Sequence, residues 1–185
     1  MDLGSLLSKQ DKYAEAEALH ERAVELSIAL YGRDDRRVGD ALQDLAWMLY
    51  RQGRLNEAEE RFRRALDLRE QALGEKHPHV ALTMANLAVV LIDKDELEEA
   101  ERLVRRCLEL RREALGQEHF DVADTLHLLA IINRRRGDLE EAASLLRQAI
   151  AIKRNAVGEV HNDVATHLDQ LASVLSDQGA LAEAE

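Results

Sequence analysis

Histidine, glutamate and cysteine are the residues of this chain whose side chains could do chemistry, and two of these types recur at a fixed spacing. Three histidines lie 42 residues apart, at His77, His119 and His161. One glutamate column has the same spacing, and its members are Glu15, Glu57, Glu99, Glu141 and Glu183. Imidazoles bind transition metals and, like carboxylates, transfer protons. A metal site or an acid–base site is therefore the first hypothesis to examine.

The spacing itself favours a structural role for these residues. Each histidine is one full period from the next, so we place each at the start of its own helix. The neighbouring His79 is replaced by Asp121 and Asp163 in the later copies, and no metal-ligand spacing results. Carboxylates are common in the first turn of a helix. We therefore predict that the chain is not an enzyme and needs no cofactor or metal.

The 42-residue period defines a repeat, and its positions are numbered here from Asp35, His77, His119 and His161. Apolar or small residues occupy positions 4, 8, 11, 12 and 15, with Asn133 at position 15 as the one exception, and these positions lie one, three or four residues apart, as on one face of a helix. In the second copy these residues are Val38, Leu42, Leu45, Ala46 and Leu49. A truncated first copy supplies Leu3, Gly4 and Leu7. This pattern predicts the first helix of each repeat.

A turn and a second helix follow in each copy. Position 19 holds glycine or aspartate, residue types that tolerate positive φ; these residues are Asp11, Gly53, Asp95, Gly137 and Gly179. Position 24 is alanine in all five copies, and positions 31 and 34 are small and apolar, respectively. Cys107 occupies the small position 31, so we interpret it as a buried apolar residue. The glycine at position 40 predicts the C-terminal cap; these glycines are Gly32, Gly74, Gly116 and Gly158.

These patterns predict an all-α fold in which antiparallel helix pairs stack into a solenoid, because neither helix can bury its apolar face alone. We expect a single array over residues 1–185. It comprises a truncated repeat at 1–34, full repeats at 35–76, 77–118 and 119–160, and a truncated repeat at 161–185. Since both ends fall inside a repeat, we expect a fragment of a longer array or a chain whose ends stack on another copy.

The turn sequences resemble the tetratricopeptide repeat family. Residues 53–59 (GRLNEAE) and 137–142 (GDLEEA) are similar to its turn signature. The longer period, together with residues 64–69 (RALDLR) and 74–81 (GEKHPHVA), resembles the kinesin light chain type of this repeat. HEAT and armadillo repeats have similar periods but lack this turn. The resemblance implies a right-handed superhelix with a protein-binding concave groove lined by the first helices.

Composition limits the classes of partner. The formal net charge is -11, which disfavours nucleic acid, whose binding relies on phosphate neutralisation. It also disfavours an anionic membrane surface, and no apolar run is long enough to span a bilayer. A single cysteine precludes an internal disulfide, and no signal peptide is evident. We therefore expect a cytoplasmic protein that binds a protein or peptide.

By the resemblance, positions 6, 9, 10, 13, 16 and 17 of the first helix face the groove. The candidate groove residues are Gln43, Asp44, Trp47, Tyr50, Arg51, Asn86, Val89, His127, Ile131, Arg134 and Arg135. Several groove positions are apolar, and we expect a strip formed by Trp47, Tyr50, Val89, Ile92 and Ile131. Exposed tryptophan is typical of binding hot spots. The alternative is that Trp47 packs against the neighbouring first helix.

The basic run Arg134–Arg136 has two interpretations. Arg134 and Arg135 lie at groove positions and could bind a carboxylate of a partner through paired hydrogen bonds. Alternatively, the run is a solvated helix end, where cations complement the helix dipole.

The sequence favours a non-catalytic scaffold that binds a peptide or helix in its groove. A sensor or regulatory segment of a larger signalling protein is one alternative, and a solenoid that self-associates end to end is another.

Overall fold

The computed structural model describes the backbone of residues 3–159 and 161–179, and the side chains of residues 12–156, 158–159 and 161–179. Within these residues the chain forms eight α-helices and no strand, which confirms the predicted all-α repeat fold. The helices are α1 (Leu3–Tyr31), α2 (Arg36–Arg51), α3 (Leu55–Leu73), α4 (Pro78–Asp93), α5 (Leu97–Leu115), α6 (Phe120–Arg136), α7 (Leu139–Val157) and α8 (Asn162–Asp177). No helix in this described part is long and apolar enough to cross a membrane.

The chain divides into two compact units, which we call unit 1 (Met1–Lys94) and unit 2 (Asp95–Glu185). Unit 1 contains α1 to α4, and unit 2 contains α5 to α8. From α2 onward the helices alternate between first and second helices of the repeat, as the periodicity predicts. The extent of the array as a single domain stays a prediction.

The repeated histidines start helices. His77, His119 and His161 have extended backbones, and the ring of each accepts a hydrogen bond from the amide two residues later. That bond satisfies one of the amides that a helix start leaves without a partner. The structural interpretation of the histidines is therefore confirmed.

Positive-φ residues end the helices where the pattern places them. Gly74, Gly116 and Gly158 cap the second helices at φ values of 82°, 86° and 86°. At position 19, Gly53 and Gly137 turn the chain with φ values of 78° and 88°, and Asp95 does so at 63°. Aspartate tolerates this conformation better than most residues with a Cβ.

The turn predicted at Asp11 is wrong, because α1 is continuous from Leu3 to Tyr31. A turn interrupts helix propagation and is favoured only when both flanking helices gain packing. The described segment before Asp11 is about two helical turns long. A separate helix of this length would gain little packing free energy, so a turn at Asp11 is not favoured. The predicted second-helix start at Leu181, Glu183 and Ala184 lies outside the described residues.

The core of unit 1 joins first-helix positions 4 and 8 to second-helix positions 31 and 34. Val38 and Leu42 of α2 pack with Ala65 and Leu68 of α3, all at most 6% exposed. Gly39 allows the close approach, since a Cβ there would lie 3.3 Å from the carbonyl oxygen of Ala65. Each buried leucine contributes about 2 kcal/mol relative to exposure.

Unit 2 repeats this core with Val122, Leu126, Ala149 and Ile152, which are all buried. Two leucines at core positions are instead exposed. Leu26 at position 34 is 45% exposed, and Leu168 at position 8 is 39% exposed. Among the described residues, neither has the partner helix that covers the same position in the complete repeats.

Candidate functional site

The predicted groove residues of unit 1 lie on one face of two neighbouring first helices, which we call the unit 1 face: Gln43, Asp44, Trp47, Tyr50 and Arg51 on α2, and Asn86 and Val89 on α4. Two contacts hold α2 beside α4. The Tyr50 hydroxyl donates to Asp93 Oδ2 at 2.7 Å, and the Thr83 hydroxyl donates to Gln43 Oε1 at 3.4 Å. Burial and the hydrogen bond to Asp93 raise the pKa of Tyr50 to about 12.

A buried cation lies beneath the unit 1 face. Arg69 of α3 is 3% exposed and reaches between α2 and α4. Its guanidinium donates to Gln43 Oε1 and Thr83 Oγ1 at 2.5 Å each, and to Asp40 Oδ1 at 2.7 Å. A buried charge is tolerated when it is paired and hydrogen-bonded. Gln43 is therefore a groove residue that supports the buried cation.

Trp47 is half-buried and belongs to an aromatic cluster. Its ring meets Phe62 of α3 edge-on at 5.5 Å between centroids, and meets Tyr50 edge-on at 5.3 Å. Phe62 is fully buried. The aromatic contacts of Trp47 are thus with its own helix and with the second helix of its repeat, and part of the indole remains accessible.

The unit 1 face also carries polar side chains with no partner among the described residues. These are the carboxylate of Asp44, the indole N–H of Trp47, the guanidinium of Arg51 and the carboxamide of Asn86. Asp44 and Arg51 are exposed, and Trp47 and Asn86 are half-buried. Together they offer one anion, one cation and both kinds of neutral hydrogen-bonding group.

The equivalent surface of unit 2, the unit 2 face, lies on α6 and α8 and contains His127, Ile131, Arg134 and Arg135. Here the arginines are paired within the chain, whereas Asp169 and Gln170 at groove positions of α8 have no partner among the described residues. Arg134 binds Asp177 through two nitrogens at 2.8 Å, and Arg135 lies 3.7 Å from Asp95. Arg136 binds Glu101 and Glu98. The basic run is therefore neither an open carboxylate clamp nor simply solvated, since each arginine faces a carboxylate.

His127 is turned inward against His167 of α8. The rings meet nearly edge-on, 4.6 Å apart between centroids, and the Nε2 atom of each is buried without a hydrogen-bond partner among the described residues. His167 Nδ1 donates to the carbonyl oxygen of Asp163 at 2.7 Å. Burial, together with the charge that His167 would carry, lowers the pKa of His127 to about 4.

Lys153 of α7 is a buried cation beneath the unit 2 face. Its side chain is 1% exposed, and its Nζ lies 2.8 Å from Asp124 Oδ1 and 3.1 Å from Asp163 Oδ2. Burial alone would lower the pKa of Lys153, but the two carboxylates outweigh burial and raise it. Lys153 in turn lowers the pKa of Asp163.

Sequence reasoning missed these buried cations. Arg69, Arg111 and Lys153 all occupy position 35, directly after the apolar position 34. Arg111 is 8% exposed and donates at 2.8 Å to the carbonyl oxygen of Asp121 and to Thr125 Oγ1. A basic residue at one position of every complete repeat was the available signal. This signal was overlooked because charged residues are usually exposed to solvent, and a burial pattern is therefore not expected of them.

The prediction that Ile92 belongs to the apolar strip of the groove is wrong, because this side chain is only 3% exposed. At the same repeat position, Tyr50 and Arg134 stay partly exposed since each binds an aspartate of the next copy. Isoleucine has no polar end and gains free energy by burial. Val89 and Ile131 are half-buried.

The remaining candidates for chemistry lie in packed or capping positions. Cys107 is fully buried, and burial raises the pKa of its thiol. Glu57, Glu99 and Glu141 lie in the first turns of α3, α5 and α7. Within residues 3–159 and 161–179, no group of three His, Cys, Asp or Glu side chains is arranged to hold a metal ion.

Three solved structures share this architecture. BtubC (BKLC) from P. vanneervenii superposes with a TM-score of 0.82 at 24% identity, over 98% of this chain and 72% of that one. A putative kinesin light chain from Podosopora anserina with nearly identical TPR-like repeats gives 0.77 at 22% identity, over 98% and 86%. MamA gives 0.63 at 17% identity, over 100% and 89%. At these identities the likeness is one of fold.

Sequence comparison identifies the family. Among curated proteins, no sequence matches the chain significantly. The family model for the tetratricopeptide repeat matches in four overlapping stretches, at residues 1–71, 48–113, 79–155 and 121–185. These stretches include every helix described above, and the chain therefore belongs to the tetratricopeptide repeat family.

Proposed function

We propose that the chain is a non-catalytic scaffold that binds a peptide segment of a partner protein on the unit 1 face. Tetratricopeptide repeats generally mediate protein–protein interaction. The observation that supports binding on the unit 1 face in particular is that three polar side chains on the same face as Trp47 have no partner among the described residues. These are the side chains of Asp44, Arg51 and Asn86. Cytoplasmic residence stays an expectation from the sequence.

A peptide would gain binding free energy on the unit 1 face in two ways. A peptide side chain placed against Trp47 buries apolar area on a ring that Phe62 and Tyr50 already hold in place. The peptide backbone has unpaired donors and acceptors, and the Asn86 carboxamide can satisfy one of each. On the unit 2 face, a partner would first have to displace the ion pair of Arg134 with Asp177.

The test begins with selection of binders from a random peptide display library on the intact chain. Trp47 is the only tryptophan, so the change in its fluorescence reports binding at the proposed face. We expect selected peptides to shift this fluorescence saturably, and Asn86→Ala to weaken them about tenfold, the effect of losing roughly 1.4 kcal/mol of interaction.

The matched control is Arg134→Ala on the unit 2 face, which should leave the same peptides unaffected. Selected peptides that bind equally well to Asn86→Ala and Trp47→Phe, but not to Arg134→Ala, would move the site to unit 2. Failure of the library to yield any binder would count against peptide recognition altogether.

Association between copies is a second candidate, favoured by exposed leucines on α1. Leu19 is 67% exposed and Leu30 is 70% exposed, and large apolar side chains in such positions commonly mark interfaces. Light scattering over a hundredfold concentration range tests this candidate. A rising mass that Leu19→Lys and Leu30→Lys abolish would support it, and a constant monomer mass would dismiss it. A regulatory segment of a larger protein could use either surface.

A further inference from the structure

A second concave site lies in unit 1, between α1, α2 and α3. It is a cleft with a volume of about 420 Å³, within the range of small-molecule sites. Its apolar part includes Val24 and Ile28 of α1 and Leu42 of α2, and its polar part includes Glu21, Arg33 and Arg61. None of these residues belongs to the unit 1 face.

The repeat provides an internal reference for this cleft. Unit 2 has a cleft that shares four repeat positions with it, and there Leu126 corresponds to Leu42 and Arg112 corresponds to Ile28. Its volume is only about 180 Å³. The larger cleft of unit 1 is therefore specific to that unit and does not follow from the fold alone.

Two lining residues of the larger cleft differ from their counterparts in unit 2. Position 32 is Val24 in unit 1 and Leu108 in unit 2, and position 27 is Arg61 in unit 1 and Leu145 in unit 2. Both leucines are buried, at 8% and 7% exposed. At these two positions the unit 1 cleft is lined by a smaller apolar residue and a cation, whereas the leucines of unit 2 are buried and do not line its cleft. An apolar group would fit the unit 1 cleft.

The charges around the cleft favour an anion. Arg61 Nε is buried and has no acceptor among the described residues, although its terminal nitrogen contacts Glu60. A buried donor without an acceptor is unfavourable. Arg33 likewise has no carboxylate partner among the described side chains.

The carboxylates near the cleft do not supply that acceptor. Glu25 is bound by Arg22 at 2.7 Å, and Glu21 is exposed to solvent. Arg64, a further lining residue, already has a partner, since it binds Asp34 at 2.7 Å. The unsatisfied donor among the residues that line the cleft is thus Nε of Arg61, whose side chain is otherwise 38% exposed and paired with Glu60.

We propose that this cleft binds a small carboxylic acid with an aliphatic body. The carboxylate would accept hydrogen bonds from Arg61, and the aliphatic chain would lie along Val24, Ile28 and Leu42. The ligand would contact the two positions, Val24 and Arg61, that are leucine in unit 2. The site is separate from the peptide-binding face, and the two proposals can be tested independently.

Octanoate is the probe, and binding is followed by heteronuclear NMR titration of the intact chain. We expect saturable shifts in residues of α1 and α3. The double variant Val24→Leu/Arg61→Leu copies the residues of unit 2 and should weaken octanoate binding at least tenfold. Trp47→Phe, which alters only the unit 1 face, should leave octanoate binding unchanged.

Three results would overturn the proposal. One is the absence of saturable shifts at millimolar octanoate. Another is unchanged affinity in the double variant, whose folding is verified by circular dichroism, with the single variant Arg61→Gln as a milder replacement if it unfolds. The last is equal affinity for octanamide, a neutral molecule of the same shape, because the proposal requires the charge of Arg61 to discriminate between the two.

Discussion

The unit 1 face and the unit 2 face are built from the same repeat positions, but they differ in which of their charged side chains are paired within the chain. Each has a buried cation beneath it, Arg69 in unit 1 and Lys153 in unit 2. On unit 2 the surface arginines are also paired, as Arg134 is with Asp177. On unit 1 the guanidinium of Arg51 and the side chains of Asp44 and Asn86 have no partner among the described residues. The two faces thus differ in their cations, which are bound within the chain on unit 2 and left open to a partner on unit 1.

Replacing the buried cation of unit 2 should have the largest effect on stability. Lys153→Ala leaves Asp124 and Asp163 near each other without their shared cation. We expect the free energy of unfolding, measured by urea denaturation, to fall by about 3 kcal/mol. Lys153→Arg, the residue type at this position in the other complete repeats, should cost less than about 1 kcal/mol. Similar losses in both variants would mean that the ion pairs contribute little.

Acidification should weaken unit 2 next. Because the pKa of His127 is about 4 in the folded chain and near 6.5 when unfolded, the unfolded state binds more protons between these pH values. This stability is fully present above pH 6.5 and is lost as the pH falls through 4, for a total of at most about 3 kcal/mol, since each unit of pKa difference corresponds to about 1.4 kcal/mol. Urea denaturation at several pH values measures this slope. His127→Gln should flatten it, and an unchanged slope would contradict the burial of His127.

The first helices, turns and caps could be predicted from the sequence because their signals are local. The histidine caps and the glycines of positive φ follow directly from residue type and period. The burial of Arg69 and Lys153 could not be predicted, since it depends on partners contributed by two other helices. For the same reason, the sequence identified Asp44 and Arg134 as candidates but could not show that only Arg134 has a partner.

Trp47→Ala should separate binding from folding on unit 1. The ring is half-buried, so we expect a loss of about 1.5 kcal/mol of stability, less than for a fully buried aromatic residue. Affinity for a selected peptide, measured by calorimetry because the fluorophore is removed, should fall at least tenfold. Phe62→Ala is the contrasting control and should cost about 3–4 kcal/mol of stability. A Trp47 variant as unstable as the Phe62 variant would make Trp47 a core residue.

Removing a surface ion pair of unit 2 should have the smallest effect. Arg134→Ala breaks a pair whose side chains are 35% and 47% exposed. Such pairs contribute about 0.5 kcal/mol, so the shift in the denaturation midpoint should be barely measurable. The Asp177→Ala variant leaves Arg134 without its partner. An increase in its affinity for peptide would show that the ion pair prevents peptide binding on the unit 2 face.

Backbone chemical-shift mapping of the chain with a selected peptide distinguishes the unit 1 face from the unit 2 face as the binding site. We expect saturating peptide to perturb amides of α2 and α4, with the largest shifts near Trp47 and Asn86, while those of α6 and α8 remain unchanged. Perturbations confined to α6 and α8, around His127 and Arg134, would contradict this expectation.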